Sequence, residues 1–139
     1  MQIKVKRNLI IVLMASVAVL TACKKGPGEG GETTIYGRVW AEEWDDLTYT
    51  QHYDTLDRWA MDEEVYLIYG DDASYSERTR SGPDGVFEFK YLREGDYSVY
   101  VYSGAANNAI TPGGKEAISK RVSIPDEGTF DAGTFVIKK

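Results

Sequence analysis

The chain has one cysteine, one histidine and four prolines among 139 residues. A single thiol, Cys23, cannot form an internal disulfide, so packing alone must hold any fold. A single histidine, His52, makes a zinc site only if Cys or carboxylate ligands join it. Basic residues are outnumbered, 16 Lys and Arg against 22 Asp and Glu, for a net charge of −6. Such a balance does not favour nucleic acid, whose phosphates require a basic surface. Long apolar runs are missing too. The one clear run, Leu9 to Leu20, is shorter than the roughly 20 residues needed to span a bilayer. No later segment carries a long amphipathic helical pattern.

That run is preceded by Lys4, Lys6 and Arg7 and followed by small residues, the layout of a secretory leader. Leu20-Thr21-Ala22-Cys23 then resembles the lipobox of bacterial lipoproteins. The resemblance implies cleavage before Cys23 and acylation of that residue. It also implies a lipid anchor in the membrane; several acyl chains anchor stably, at about 0.8 kcal/mol per buried methylene. A thiol consumed by lipid is no longer a disulfide hazard in an oxidising compartment. Lys24, where inner-membrane retention commonly uses Asp, implies the outer membrane, on its periplasmic or surface-exposed face. The division expected is a signal peptide over 1–22, lipidated Cys23 with a flexible Gly-rich tether over 23–32, and one domain over 33–139. Losing the basic leader makes the remainder more acidic still.

The domain reads as strands. Thr33–Trp40, Glu64–Tyr69, Val86–Phe89, Tyr97–Tyr102, Ile118–Ile124 and Phe130–Ile137 are short, rich in β-branched and aromatic residues, and mostly alternating. Tyr97, Val99 and Val101 share one face, Tyr100 and Tyr102 the other. Gly82-Pro83-Asp84-Gly85 suits a type I turn with a bulge, predicting a hairpin between Ser76–Ser81 and Val86–Lys90. Arg93–Asp96 forms the next tight connection. The expected fold is all-β, a single antiparallel β-sandwich.

Particular residues carry a further resemblance: Ile35-Tyr36-Gly37-Arg38-Val39; Val65 and Leu67; Thr79, Asp84, Gly85, Phe87 and Phe89; and Leu92, Gly95, Tyr97, Val99 and Val101. Together they resemble the carboxypeptidase regulatory-like family. This implies a prealbumin-like or Ig-like Greek-key sandwich, with a long insertion, Ala41 to Asp62, between the first two strands. These motifs bear on structure, not chemistry. Transthyretin-like hydrolases use several histidines and a different C-terminal motif, and adhesin-type isopeptide crosslinks need a suitably placed Asn. Here the chain ends "FVIKK", and Asn107 and Asn108 lie in a loop. No enzyme and no obligatory cofactor is expected.

The insertion draws the eye for two reasons. Nearly all the net negative charge lies within 41–72, where Arg58 is the one base. It reads as a solvated loop, as an acidic docking face, or as a calcium site built on Asp45, Asp46, Asp71 and Asp72. All three tryptophans, Trp40, Trp44 and Trp59, also lie in or beside it, with Tyr49 and Tyr53. Trp44, Tyr49, Tyr53 and Trp59 are the candidate contact residues, unless they merely cover the sandwich edge. The insertion itself is expected to extend its flanking strands or to hold a short helix near Asp54 to Met61. The function expected is a lipid-anchored, non-catalytic binding or assembly module with an envelope protein as partner. The alternative is a carbohydrate-binding surface lipoprotein using exposed tryptophans to stack on a glycan.

Overall fold

The computed structural model describes residues 25–45, 48–106, 108 and 110–139. The leader over 1–22, Cys23 and Asp46 lie outside them. The strands are β1 (Glu29–Glu42), β2 (Arg58–Trp59), β3 (Glu64–Tyr69), β4 (Glu77–Arg80), β5 (Val86–Leu92), β6 (Gly95–Gly104), β7 (Lys115–Ile124) and β8 (Thr129–Lys138). They build a two-sheet sandwich. In the first sheet β1 is central: β5 and β2 flank it antiparallel along one side, and β8 runs parallel along the other. The second sheet is antiparallel throughout, in the order β4-β3-β6-β7.

Alternation explains the layers. Ile35 and Val39 from β1, Val65 and Leu67 from β3, Phe87 and Phe89 from β5, and Tyr97, Val99 and Val101 from β6 are all buried between the sheets. Phe135 and Ile137 of β8 join them, with Val122 and Ile124 of β7. Lys120 occupies an inward-facing position of β7 and snorkels: its Nζ donates to the Thr134 carbonyl at 2.8 Å and sits 4.8 Å from the centre of the Phe135 ring. Gly37 is required by close approach. A Cβ there would fall 2.6 Å from the Phe87 ring and 2.8 Å from the Gly133 carbonyl.

Two expectations need correction. Gly82–Gly85 does form its turn: the Gly85 amide donates to the Gly82 carbonyl at 2.9 Å, the Gly82 amide to Val86 at 2.8 Å, and Gly85 has φ +74°. Yet β4 and β5 do not form the predicted hairpin. β4 pairs with β3 and β5 with β1, so the turn carries the chain from one sheet to the other. Second, the sheet starts at Glu29, inside the stretch read as a tether. Of the two alternatives for the insertion, the extension of its flanking strands holds, and the short helix near Asp54 reduces to a single turn. A three-residue 3-10 turn, Asp54–Leu56, leads into β2, which returns to β1 at Trp40–Trp59 and Ala41–Arg58. An isolated bridge, Trp44–His52, extends that return.

Candidate functional site

The two ends of the sandwich differ. At one, the N-terminal segment meets the β3–β4 and β5–β6 turns. At the other, the insertion, the β6–β7 loop and the C-terminus come together. Lys139 fastens the second end: its amide donates to the Glu42 carbonyl at 2.8 Å, its carbonyl accepts from Trp44 at 2.7 Å, and its Nζ pairs with Glu63 at 2.5 Å.

The acids of the insertion are largely occupied. Asp45 caps its own loop, accepting from the Thr48 amide at 2.9 Å, the Thr48 hydroxyl at 2.5 Å, and the Thr50 and Gln51 amides at 2.7 Å each. These bonds, the Thr48 hydroxyl first, hold its carboxyl well below the usual carboxylate range. Glu43 pairs with Arg58 at 2.5 Å, Asp57 with His52 at 3.0 Å, and Asp62 with Arg80 at 2.9 Å.

Asp71 and Asp72 are elsewhere. They follow β3 at the opposite end, where Asp71 pairs with Arg121 at 2.6 Å. The six residues of β3 separate the two ends, a span of about 20 Å at strand rise. Asp45, Asp71 and Asp72 therefore do not share a site. Among the described residues, no three His, Cys, Asp or Glu side chains converge as metal ligands.

The tryptophans are also engaged. Trp44 stacks on His52, with ring centres 4.9 Å apart and planes 16° from parallel. Lys138, from the strand on the other side, lies 4.7 Å from its ring centre. The insertion's own bridge and β8 therefore each supply the ring a companion. Trp59 meets Trp40 edge-on at 4.9 Å and carries the Arg38 guanidinium over its ring at the same distance. Its base lies against Gly85, where a Cβ would come within 3.1 Å. Tyr53 is exposed at the 3-10 turn. Tyr49 turns inward toward Gly104, where a Cβ would sit 2.5 Å from its ring.

A different aromatic group stands on the outer face of the second sheet. Tyr66 of β3 and Tyr100 of β6 are register partners, and their rings stack at 4.9 Å and 11°. Tyr75 and Tyr102 meet Tyr66 edge-on at 5.1 and 5.7 Å. The Tyr66 hydroxyl donates to Glu64 at 2.6 Å. That bond to a carboxylate, reinforced by burial, pushes the phenol up to about 12 and draws Glu64 down. Arg80 braces Glu64 at 3.2 Å.

This group opens into a cleft of about 420 Å³ between the insertion and the β6–β7 loop. Tyr49, Tyr66 and Tyr102 form its aromatic wall, and Glu64, Arg80 and Lys115 its polar one. Tyr102 is 46% exposed. Of the candidate contact residues, the structure brings Tyr49 to this cleft. The others that line it are absent from the sequence-based set. Their signal was the outward parity of tyrosines in "EVYLIY" and "YSVYVY". A larger groove, about 640 Å³, lies at the N-terminal end, walled by glycine backbone, Leu92 and Ile124, with no aromatic ring.

No protein-family model matches this chain, and no curated protein sequence does. Among solved structures, it is similar to a Pseudomonas aeruginosa protein named as a candidate carbohydrate-binding protein. That match has 12% identity and a TM-score of 0.45, over 81% of this chain and 91% of the other. A 9R-lipoxygenase from Cyanothece aligns at 13% identity and a TM-score of 0.37, over 75% of this chain but 16% of the enzyme. At these values neither likeness bears on function.

Proposed function

We propose that this chain is a non-catalytic, lipid-anchored binding module whose cleft takes a glycan. One observation carries the reading: an exposed tyrosine face beside fixed, oppositely charged hydrogen-bonding groups, Tyr102 next to Glu64 and Arg80. Sugars offer an apolar ring face for an aromatic and hydroxyls that both donate and accept. A carboxylate held ionised and an arginine fixed beside it meet those hydroxyls without reorganising. An acidic docking face for a basic protein is less well supported, because Glu43, Asp45, Asp57, Asp62 and Glu63 already hold partners within the domain. Cys23 and the leader before it support the anchor, and Lys24, where retention would use Asp, supports an outer-membrane location.

The test is a calorimetric titration of the full chain, in detergent, against a panel of polysaccharides. A saturable heat is expected from at least one. Tyr102→Ala should weaken it about tenfold, the loss of one aromatic contact. Trp44→Ala should leave it within twofold. Absence of binding across the panel, or binding indifferent to Tyr102→Ala, would reject the reading.

A further inference from the structure

The segment that leads into the sandwich is fastened from Gly26 onward rather than loose. The Arg93 Nε donates to the Gly26 carbonyl at 2.9 Å, and its guanidinium also reaches the Glu29 carbonyl. The Arg93 amide donates to the Gly28 carbonyl at 2.8 Å. The hydroxyl of fully buried Tyr97 accepts from the Gly28 amide and donates to the Arg93 carbonyl, both at 2.8 Å. Pro27 seals the contact: a Cβ on Gly95 would fall 2.9 Å from its ring, and one on Gly70 would fall 3.3 Å away. Backbone and side chains thus hold the chain in place from Gly26 onward.

We infer that this clamp fixes the orientation of the domain, with its Arg93 end toward the anchoring membrane and its tyrosine cleft facing away. The inference rests on the lipid-anchor reading of Cys23 and deepens the glycan reading by stating where the ligand comes from. From Cys23 to Gly26 there are three Cα steps, at most about 11 Å of reach. The 14-residue β1 then carries the chain from the clamp to the insertion. Glu29 and Thr33 both stand in register with Leu92, so the net rise runs from Thr33 to Glu42, about 30 Å, and β6 from Gly95 to Tyr102 sets clamp and cleft roughly 23 Å apart. Headgroups of the membrane that holds the anchor are therefore beyond the cleft. The glycan it takes is free in solution or belongs to an opposing layer.

All three tryptophans lie toward the cleft end, which supplies the assay. The processed, lipidated protein beginning at Cys23 is reconstituted into vesicles carrying a dansyl-labelled lipid, and energy transfer from tryptophan is read. The clamped wild type should float with the vesicles and show weak transfer. Ten Gly/Ser residues inserted between Lys25 and Gly26 should at least double it, by letting the domain tumble toward the surface, and Arg93→Ala should move it the same way. Strong transfer in the wild type, or transfer unchanged by the insertion, overturns the orientation alone. Failure of the wild type to float overturns the anchor and the orientation with it. Either result leaves glycan binding in detergent to be read separately.

Discussion

Tyr97→Phe isolates the clamp with the removal of one oxygen atom. The ring remains in the core against Tyr69, 5.8 Å away and nearly perpendicular, so no cavity opens. What goes is the hydroxyl that joins Gly28 to Arg93. Each of two hydrogen bonds contributes about 1 kcal/mol net, and the abandoned groups lie where water reaches them poorly. The expected cost is about 2 kcal/mol, which for a domain of this size lowers Tm by about 10 °C. Tyr91→Phe is the control, since Tyr91 is 72% exposed, and it should leave Tm unchanged. Thermal unfolding followed by circular dichroism measures both, and amide exchange locates the effect: Gly28 should lose protection while Val99 keeps its own. A Tm within 2 °C of wild type, or exchange unaltered at Gly28, would refute the claim that this hydroxyl holds the N-terminal segment.

Phe135→Ala should cost about 3–5 kcal/mol, much of the stability of a small domain, because Phe135 is fully buried against Phe87 and Lys120; urea unfolding would show it, and a cost below 1 kcal/mol would contradict the packing. Asp45→Ala should speed exchange of the Thr50 and Gln51 amides without touching β6. Because the folded-state pKa of Asp45 is depressed, its contribution is present above the unfolded carboxylate range and lost as pH falls through the folded value; carboxyl NMR should find it ionised after other exposed acids have protonated. Tyr66 works in the opposite sense. Its folded pKa, about 12, exceeds the unfolded value near 10, so its contribution is full below pH 10 and disappears as pH rises toward 12. A phenolate absorbance titration should show this late ionisation, and Glu64→Gln should bring it forward.

The strands were legible because alternation reports burial one residue at a time. Ile35 and Val39, or Tyr97, Val99 and Val101, declare a face without any knowledge of their partners. The partner itself is less legible. Gly82–Gly85 encodes a turn and nothing about the partners of the strands it joins; β4 enters it from beside β3, with Arg78 and Arg80 against Glu64, and β5 leaves it to place Phe87 under Gly37. The charge map misled for a related reason. Residues 41–72 are contiguous in sequence, but β3 crosses the whole sandwich inside that window and delivers Asp45 and Asp71 to opposite ends. The tryptophans looked available because their companions, Lys138 and Arg38, come from strands that the insertion's own sequence does not name.

The same crossing gives the molecule its division of labour. Tyr66 and Tyr100 become partners only through the β3–β6 register, and that register also sets which end of the sheet Tyr102 occupies. β6 begins beside the clamp at Gly95 and ends beside the cleft at Gly104, with buried Tyr97 near its start and exposed Tyr102 near its end. One strand thus carries an inward tyrosine that fastens the segment at Gly28 and an outward one that lines the cleft, on opposite faces by strand parity. Because the two lie on different faces and at different ends, their effects separate. Clamp substitutions should leave affinity in detergent untouched while changing how the domain stands on a membrane, and cleft substitutions should do the reverse. Coupling between the two would mean that the sandwich transmits strain along β6, which nothing in its continuous pairing with β3 and β7 requires.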